Sequence, residues 1–256
     1  MKPVAIFAAT RWEIRAVRRV LPTNRSLSVD GIHCLIGSKQ GRPFWLVQTG
    51  VGPARAARSA EAIFTAQPMA LAVSTGFACA LAPAAIGSLL LGDSTVSIHR
   101  TLDGAMRRDA VRCDDAAKAG LTAAAQRAGS VVATGMVLSS DMVVWRADDK
   151  RAVARSTKAI GLDMESAALG NAAMRHGIPF AIVRTVSDGV DEDLPLDFNL
   201  FLRPAGWLTG GWALLTHPSS IAGMNRLRRQ SRIAGGQLGT VFDAWAATGF
   251  QGCLEN

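Results

Sequence analysis

The sequence predicts an α/β fold, a central twisted mixed β-sheet flanked by helices. Three observations carry this. Short apolar or β-branched runs of strand length alternate with alanine-rich segments of helical periodicity over residues 4–190. Residues 159–185 read as a complete βαβ unit, with Gly177 ending the helix and Pro179 preparing the returning strand. The 256 residues suffice for one sizeable core, so the whole chain, 1–256, is read as a single domain.

In chain order, Val4–Ala8 reads as the first strand. Trp12–Leu21 reads as a helix with Ile14, Val17 and Leu21 at helical spacing, closed by Pro22. Ser28–Ile36 and Phe44–Gln48 read as further strands. The turn TGVGP follows, and Pro53 opens a helix through ARAARSAEAIF. That turn matches neither a dinucleotide nor a phosphate-loop fingerprint. Ala70–Thr75 and Asp93–Ile98 read as strands, Leu121–Ala128 as a helix and Ser130–Thr134 as a strand. Asp148, Asp149, Lys150 and Arg151 read as an exposed mixed-charge loop. Ala159–Asp163, Glu165–His176 and Phe180–Thr185 form the βαβ unit.

From Leu194 the alternation stops. Residues 194–242 read as a basic, tryptophan-bearing helical addition over one edge of the core, with Trp207 and Trp212 among glycines and prolines. The segment IAGMNRLRRQSRIAGG within it has the pattern of an amphipathic helix. The chain carries a formal charge of +8. Much of the excess sits here: Phe198 to Phe242 contains no acid, while Arg203, Arg226, Arg228, Arg229 and Arg232 are basic. No zinc-finger spacing or RNA-binding motif accompanies the arginines, which argues against nucleic acid. They read first as a solvated or oligomer-facing surface, with peripheral contact with an anionic membrane through residues 198–235 as the second reading.

Apolar runs are too short for a membrane span, and the N-terminal apolar run is shorter than a signal-peptide core. Cys34, Cys79, Cys113 and Cys253 lie far apart without a C-x-x-C pair. Both features fit a reduced, cytoplasmic protein. No His or Cys cluster suggests a metal, and no cofactor is implied. His99 and His176 read as structural or solvent-facing, and Cys79 as packing.

Candidate chemistry rests on acids. In open α/β sheets, ligands gather beyond the carboxyl ends of strands. Glu165, Asp188 and Glu13 all follow strand ends. Burying a carboxylate without a partner is costly, so the acids of AIGLDMESAALG need a compensating structure or a ligand. Cleavage of a glycosidic bond needs a protonated leaving group, stabilised positive charge on the sugar and an activated nucleophile. Carboxylates in different environments serve all three needs.

GLDMESAAL followed by VRTVSDGVDED resembles the paired signature of the purine nucleoside phosphorylase and nucleosidase superfamily. Within it the pattern is most similar to the branch containing 5'-methylthioadenosine/S-adenosylhomocysteine nucleosidases. IFAATRWEI, VQTGVGPARAA, STGFACAL and LGDSTVS extend the resemblance, in the family's order, over residues 1–190. The tail resembles the C-terminal region of hopanoid-associated members, which act on adenosylhopane. The resemblance implies the superfamily's three-layer nucleoside phosphorylase-like fold.

It also implies roles. Asp188 would protonate N7 of adenine, held in place by Ser187, with burial strengthening the carboxyl's hold on its proton. Glu165 would bind ribose hydroxyls and favour an oxocarbenium-like transition state. Met164 would lie against the ribose, and Glu13 would position and deprotonate water. Val137, Leu138 and Ser139 would occupy the region whose backbone holds the base. Leu138 departs from the family's aromatic residue there, and Phe77 stands where the methylthioadenosine enzymes have a small serine, reshaping the substrate site.

The implied substrate is a 5'-substituted adenosine, with a lipid-linked one favoured by the tail, and the implied assembly is a homodimer or larger homo-oligomer. Glu13 favours water over phosphate as nucleophile, while Arg11 and Arg55 keep a phosphorylase open. Phe77 and a missing glycine near Cys79 or Ala80 keep a non-catalytic nucleoside-binding protein open as well.

Overall fold

The computed structural model describes residues 1–98, 110–195, 199 and 218–253, with side chains 218–222 excepted. His99, Arg203, Trp207 and Trp212 lie outside them.

The first third of the chain forms β1 (Val4–Ala8), α1 (Arg11–Arg18), β2 (Thr23–Val29), β3 (Ile32–Lys39), β4 (Arg42–Gln48) and α2 (Pro53–Ala66). Next come β5 (Leu71–Ala80), β6 (Leu89–Ile98), β7 (Ala110–Arg112), α3 (Asp115–Arg127) and β8 (Val132–Ser140). The remainder is α4 (Ala147–Thr157), β9 (Gly161–Asp163), α5 (Ser166–Arg175), β10 (Phe180–Asp188) and a long helix α6 (Pro218–Ala246). The strands join in one mixed sheet in the order β10-β6-β8-β9-β5-β1-β4-β3-β2, with β7 beside β6. An additional β10–β5 pairing closes β5, β10, β6, β8 and β9 into a ring.

Helices cover both faces, and β1 shows why its sequence is wholly apolar. Val4, Ile6 and Ala8 join the core shared with α1, α3 and α6, while Ala5 and Phe7 join the core shared with α2 and α5. The period-two alternation of a strand thus serves two hydrophobic layers instead of one.

The expected α/β architecture is present, and several of its elements depart from the expected bounds, among them β5, which runs on to Ala80, β6, which starts at Leu89, and α3, which starts at Asp115. Ser28–Ile36 is not one strand. The chain reverses at Asp30–Gly31, where both residues have positive φ (49° and 79°), so that β2 and β3 form an antiparallel hairpin. Ser130–Thr134 is only the start of a longer strand: β8 continues to Ser140 because β6 offers a parallel partner along its whole length. Asp148–Arg151 is not a loop but the opening of α4, and Lys150 within it is fully buried.

The C-terminal helix is more than an addition at an edge. Leu238, Val241, Phe242 and Trp245 recur at three- and four-residue spacing and are fully buried in the α1/α3 core. Trp245 packs edge-on against Phe250 at 5.0 Å, and its indole N–H donates to the Gln251 carbonyl at 2.9 Å. Among the described residues no helix is long and apolar enough to cross a membrane.

Gly120 in α3 lets the C-terminal turn approach this closely. A Cβ there would fall on the Gln251 carbonyl, 2.8 Å from its carbon. Replacing glycine by alanine inside a helix ordinarily stabilises by roughly 0.5–1 kcal/mol. Gly120→Ala is expected to invert that sign and destabilise by about 1–3 kcal/mol through overpacking, measured by urea unfolding.

Candidate active site

Strands β1, β4, β5 and β10 are mutually parallel, so their carboxyl ends meet at one side of the sheet. There the chain forms a cavity of about 170 Å³. Its walls include Glu13, Phe77, Met164, Glu165, Ser187 and Asp188, and an apolar rim comes from Met142, Val143, Val144 and Leu194. The three acids singled out by sequence therefore share one space, as do Met164, Ser187 and Phe77.

Glu13 arrives through a capping box. Thr10 caps α1, its hydroxyl accepting from the Glu13 N–H at 3.3 Å, while Glu13 Oε2 accepts from the Thr10 N–H at 2.7 Å. Oε2 also accepts from the Thr10 hydroxyl at 2.8 Å, and Oε1 accepts from the Phe77 N–H at 2.8 Å. A carboxylate has about four acceptor sites, so one remains for a ligand or water. Strand β5 makes room for this carboxylate where it changes partners: its pairing with β1 ends at Thr75 and its pairing with β9 begins at Cys79. Between them Gly76 takes φ +137°, and a Cβ there would fall on Glu13 Oε1 and lie 2.8 Å from Arg184 Nη1.

Glu165 sits at the N-cap position of α5, 6% exposed. Its Oε1 accepts from the Gly52 N–H at 2.8 Å, so the TGVGP turn presents backbone to the acid. The neighbouring Asp163 has a different job. Its Oδ1 accepts from the Ser139 hydroxyl at 2.5 Å and from the Glu165 and Ser166 N–H groups at 3.2 Å, and Ser139 Oγ accepts from the Ala167 N–H at 2.9 Å. Asp163 and Ser139 thus satisfy the orphan donors opening α5.

Beneath both acids lies Arg184 of β10, 1% exposed. Its guanidinium pairs with Asp163 at 2.9 Å and donates to Ser74 Oγ at 2.7 Å, Ser166 Oγ at 3.1 Å and the Thr75 carbonyl at 2.9 Å. Glu165 Oε2 is farther, at 3.9 Å. Burial pushes the Glu165 carboxyl up to about 7; Arg184 and the Gly52 N–H oppose the rise, while Asp163 and Glu13 add to it.

Asp188 follows a register shift in β10 after Val186, a bulge that re-aims the strand's last side chain. Oδ1 accepts from the Ser187 hydroxyl at 2.8 Å. Oδ2 pairs with the Lys150 ammonium at 2.6 Å. The exposed mixed-charge loop expected at Asp148–Arg151 is corrected here: Lys150 is fully buried, and a buried ammonium demands a partner, which Asp188 supplies.

The expected base-holding segment is displaced. Val137 and Leu138 lie inside β8 and are buried in its core, and Ser139 serves Asp163; none of the three lines the cavity. Because β8 runs on to Ser140, the segment at the cavity is Met142–Val144. There the Val143 N–H and carbonyl are both paired with the Asn199 carboxamide, at 2.7 and 2.8 Å. Arg11 and Arg55 are exposed and line nothing here, so the described cavity wall contains no arginine or lysine. His176 pairs with Glu61 at 2.7 Å, away from the cavity. Cys79 lines the wall, but burial and the Asp188 carboxylate hold its thiol far above the ordinary range. Among the described residues no group of three or more His, Cys, Asp or Glu side chains is placed to hold a metal ion.

Sequence reasoning misses Arg184 and Lys150. The signal for Arg184 is visible in FAIVRTV, where one arginine interrupts an apolar strand and needs buried acids to answer it.

A mixed sheet with acids gathered beyond its parallel strand ends defines an α/β enzyme scaffold with a carboxylate-lined pocket. The family model described as the phosphorylase superfamily matches residues 3–205, and the chain belongs to that superfamily. It is accordingly an enzyme of the nucleosidase or phosphorylase kind. The fold is shared with solved structures of low sequence identity. The 5'-methylthioadenosine/S-adenosylhomocysteine nucleosidase of Helicobacter pylori, crystallised with butyl-thio-DADMe-Immucillin-A, is 16% identical with a TM-score of 0.74, over 95% of this chain and 98% of that one. The corresponding enzyme from Neisseria meningitidis is 19% identical with a TM-score of 0.73, over 95% and 99%. The futalosine hydrolase of Helicobacter pylori is 18% identical with a TM-score of 0.70, over 89% and 97%.

The raised Glu165 value has a signed consequence for stability. Below pH 4.5 the carboxyl is protonated both folded and unfolded; as pH rises toward about 7, the unfolded chain releases a proton that the folded one retains. Folded stability is therefore lost across that window. Glu165→Gln removes the effect, so its stability relative to wild type is expected to climb by on the order of 3 kcal/mol across the window, measured as denaturant midpoints at successive pH values.

Proposed function

We propose that the protein is an N-ribosyl hydrolase that releases adenine from a 5'-substituted adenosine. The observation that carries this is the cavity wall: Glu13, Glu165 and Asp188 share it, and among the described residues no arginine or lysine lines it with them. Phosphate binding calls for such cations, whereas water activation calls for a carboxylate. Superfamily membership and the nucleosidases of the same fold support the reading.

Asp188 donates a proton to N7 of the departing base, and Ser187 holds the carboxyl in orientation. Glu165 accepts hydrogen bonds from the ribose hydroxyls, and in its ionised form its charge favours positive charge developing on the sugar ring. Met164 packs against the sugar. Glu13, with one acceptor site left open by Thr10 and Phe77, takes a proton from the attacking water. The Met142–Val144 rim covers the base.

The pocket of about 170 Å³ is open rather than closed, which leaves an outlet for a 5' substituent. Methylthioadenosine and adenosylhomocysteine fit this description. A lipid-linked nucleoside such as adenosylhopane is a second reading. It is favoured by the apolar rim, where Met142 is 52% exposed, and by Arg228, Arg229 and Arg232, exposed on α6.

Chromatographic assay of adenine release from each of the three nucleosides, with and without phosphate, tests the proposal. Turnover without phosphate is expected; strict phosphate dependence would overturn the hydrolytic reading. Asp188→Asn and Glu13→Gln are each expected to lower kcat by roughly 10²–10⁴-fold. An Asp188→Asn variant with full activity would remove the assigned acid.

A further inference from the structure

Lys150 is fully buried, and its Nζ has three acceptors: Asp188 Oδ2 at 2.6 Å, the Glu192 carbonyl at 2.7 Å and the Gly189 carbonyl at 3.3 Å. An ammonium fills this arrangement with its three N–H bonds. A neutral amine fills it equally well, donating two N–H bonds to the two carbonyls and offering its lone pair to a protonated Asp188. The same cradle therefore suits the proton on either partner. No other titratable side chain competes for it among the described residues packed around Nζ. The Glu192 carboxylate is engaged by Arg226 at 2.8 Å and Gln230 at 2.9 Å, the Asp148 and Asp191 carboxylates face Arg151, and the Cys79 thiol stays protonated.

We propose that Lys150 is the positioning residue through which Asp188 obtains the proton it delivers to the leaving base. This rests on the nucleosidase reading and deepens it. In the resting pair Asp188 is a carboxylate and Lys150 an ammonium. As the base departs, an Nζ–H bond breaks and an O–H bond forms on Asp188. That O–H bond then breaks as an N7–H bond forms, and the electron pair of the N9–C1' bond passes into the base. Rotation of the carboxyl about its soft sp³–sp² torsion presents the proton to the cavity. Lys150 is left as an amine and recovers a proton from solvent after product release. The proton that Glu13 takes from water returns to solvent, so the cycle consumes none.

Lys150→Met keeps the stem and removes the proton. With methylthioadenosine as probe, kcat is expected to fall by roughly 100-fold or more at neutral pH. The alkaline limb of the kcat profile is expected to move to lower pH, because Asp188 must then be protonated from solvent. Cleavage of a 4-nitrophenyl riboside, whose leaving group departs without a proton, is expected to fall far less than nucleoside cleavage. Equal losses on both substrates, or a merely scaled pH profile, would overturn the proposal in favour of a structural role.

A second variant guards against misfolding. Lys150→Met combined with Asp188→Asn leaves no unpaired buried charge, and its nucleoside rate is expected to equal that of Asp188→Asn alone. A further drop would overturn the proposal. Wild-type protein that cleaves no nucleoside at all would sink the nucleosidase reading itself. Wild-type turnover with undiminished Lys150→Met activity would sink only this inference.

Discussion

The buried Arg184 guanidinium holds the site together. A cation with 1% exposure in the middle of a strand is costly unless its donors are met. Its partners come from three separate places in the chain: Ser74 and Thr75 on β5, Asp163 on β9, and Ser166 on α5. Pairing the two terminal nitrogens of one guanidinium, whose Nε stays unpaired among the described residues, therefore fixes how β9 and α5 approach β5 and β10. Glu165 follows from that placement, because it lies between Asp163 and Ser166. Two carboxylates face this one cation, and the geometry divides it unequally: 2.9 Å to Asp163 and 3.9 Å to Glu165. The nearer acid is consumed by structure. The farther keeps a weaker hold on its charge and an edge open to the cavity.

The three cavity acids are thereby chemically distinct although all are similarly buried. Glu13 is gripped by three neutral donors, Glu165 by one backbone amide and a shared cation, and Asp188 by a hydroxyl and an ammonium of its own. Environments that separate carboxylates in this way allow acid, base and charge-stabilising work within one pocket. Gly76 is the backbone counterpart of this arrangement. A side chain there would collide with Glu13 and Arg184 together, so the partner change of β5 and the approach of two charged groups depend on the same missing Cβ.

Much of this was legible in the sequence, and the parts that were not share a cause. Strands such as Val4–Ala8 and the βαβ unit ending in Phe180–Asp188 carry their own periodicity, and the acids after them inherit positions from the strand ends. Strand lengths and partner identities do not follow from local pattern. The extension of β8 to Ser140 depends on β6, more than thirty residues upstream, and it moves the rim of the cavity from Val137–Ser139 to Met142–Val144. The Asp30–Gly31 reversal was available in principle, since Asp-Gly favours the two positive φ values found there. Lys150 was hidden for a different reason. In ADDKRAVARS it stands among charges that are exposed, and only the approach of the Gly189–Asp193 segment turns that face of α4 inward.

That segment also changes the meaning of the basic tail. Asp193 accepts from the Ala147 N–H at 2.6 Å and so caps α4, while Glu192 holds Arg226 and Gln230 of α6 and offers its carbonyl to Lys150. One short acidic loop thus fixes the helix that carries Lys150 and anchors the start of the C-terminal helix. A few turns farther along, α6 passes Phe77 at Gly235, where a Cβ would lie 3.6 Å from the ring. The helix therefore comes near the site twice, at the Glu192 side chain, whose backbone carbonyl meets Lys150, and at Gly235 beside the Phe77 ring. Arg226 belongs to this scaffold. Although exposed, Arg226 is tied to Glu192, while Arg228, Arg229 and Arg232 present further basic charge on the exposed side of α6.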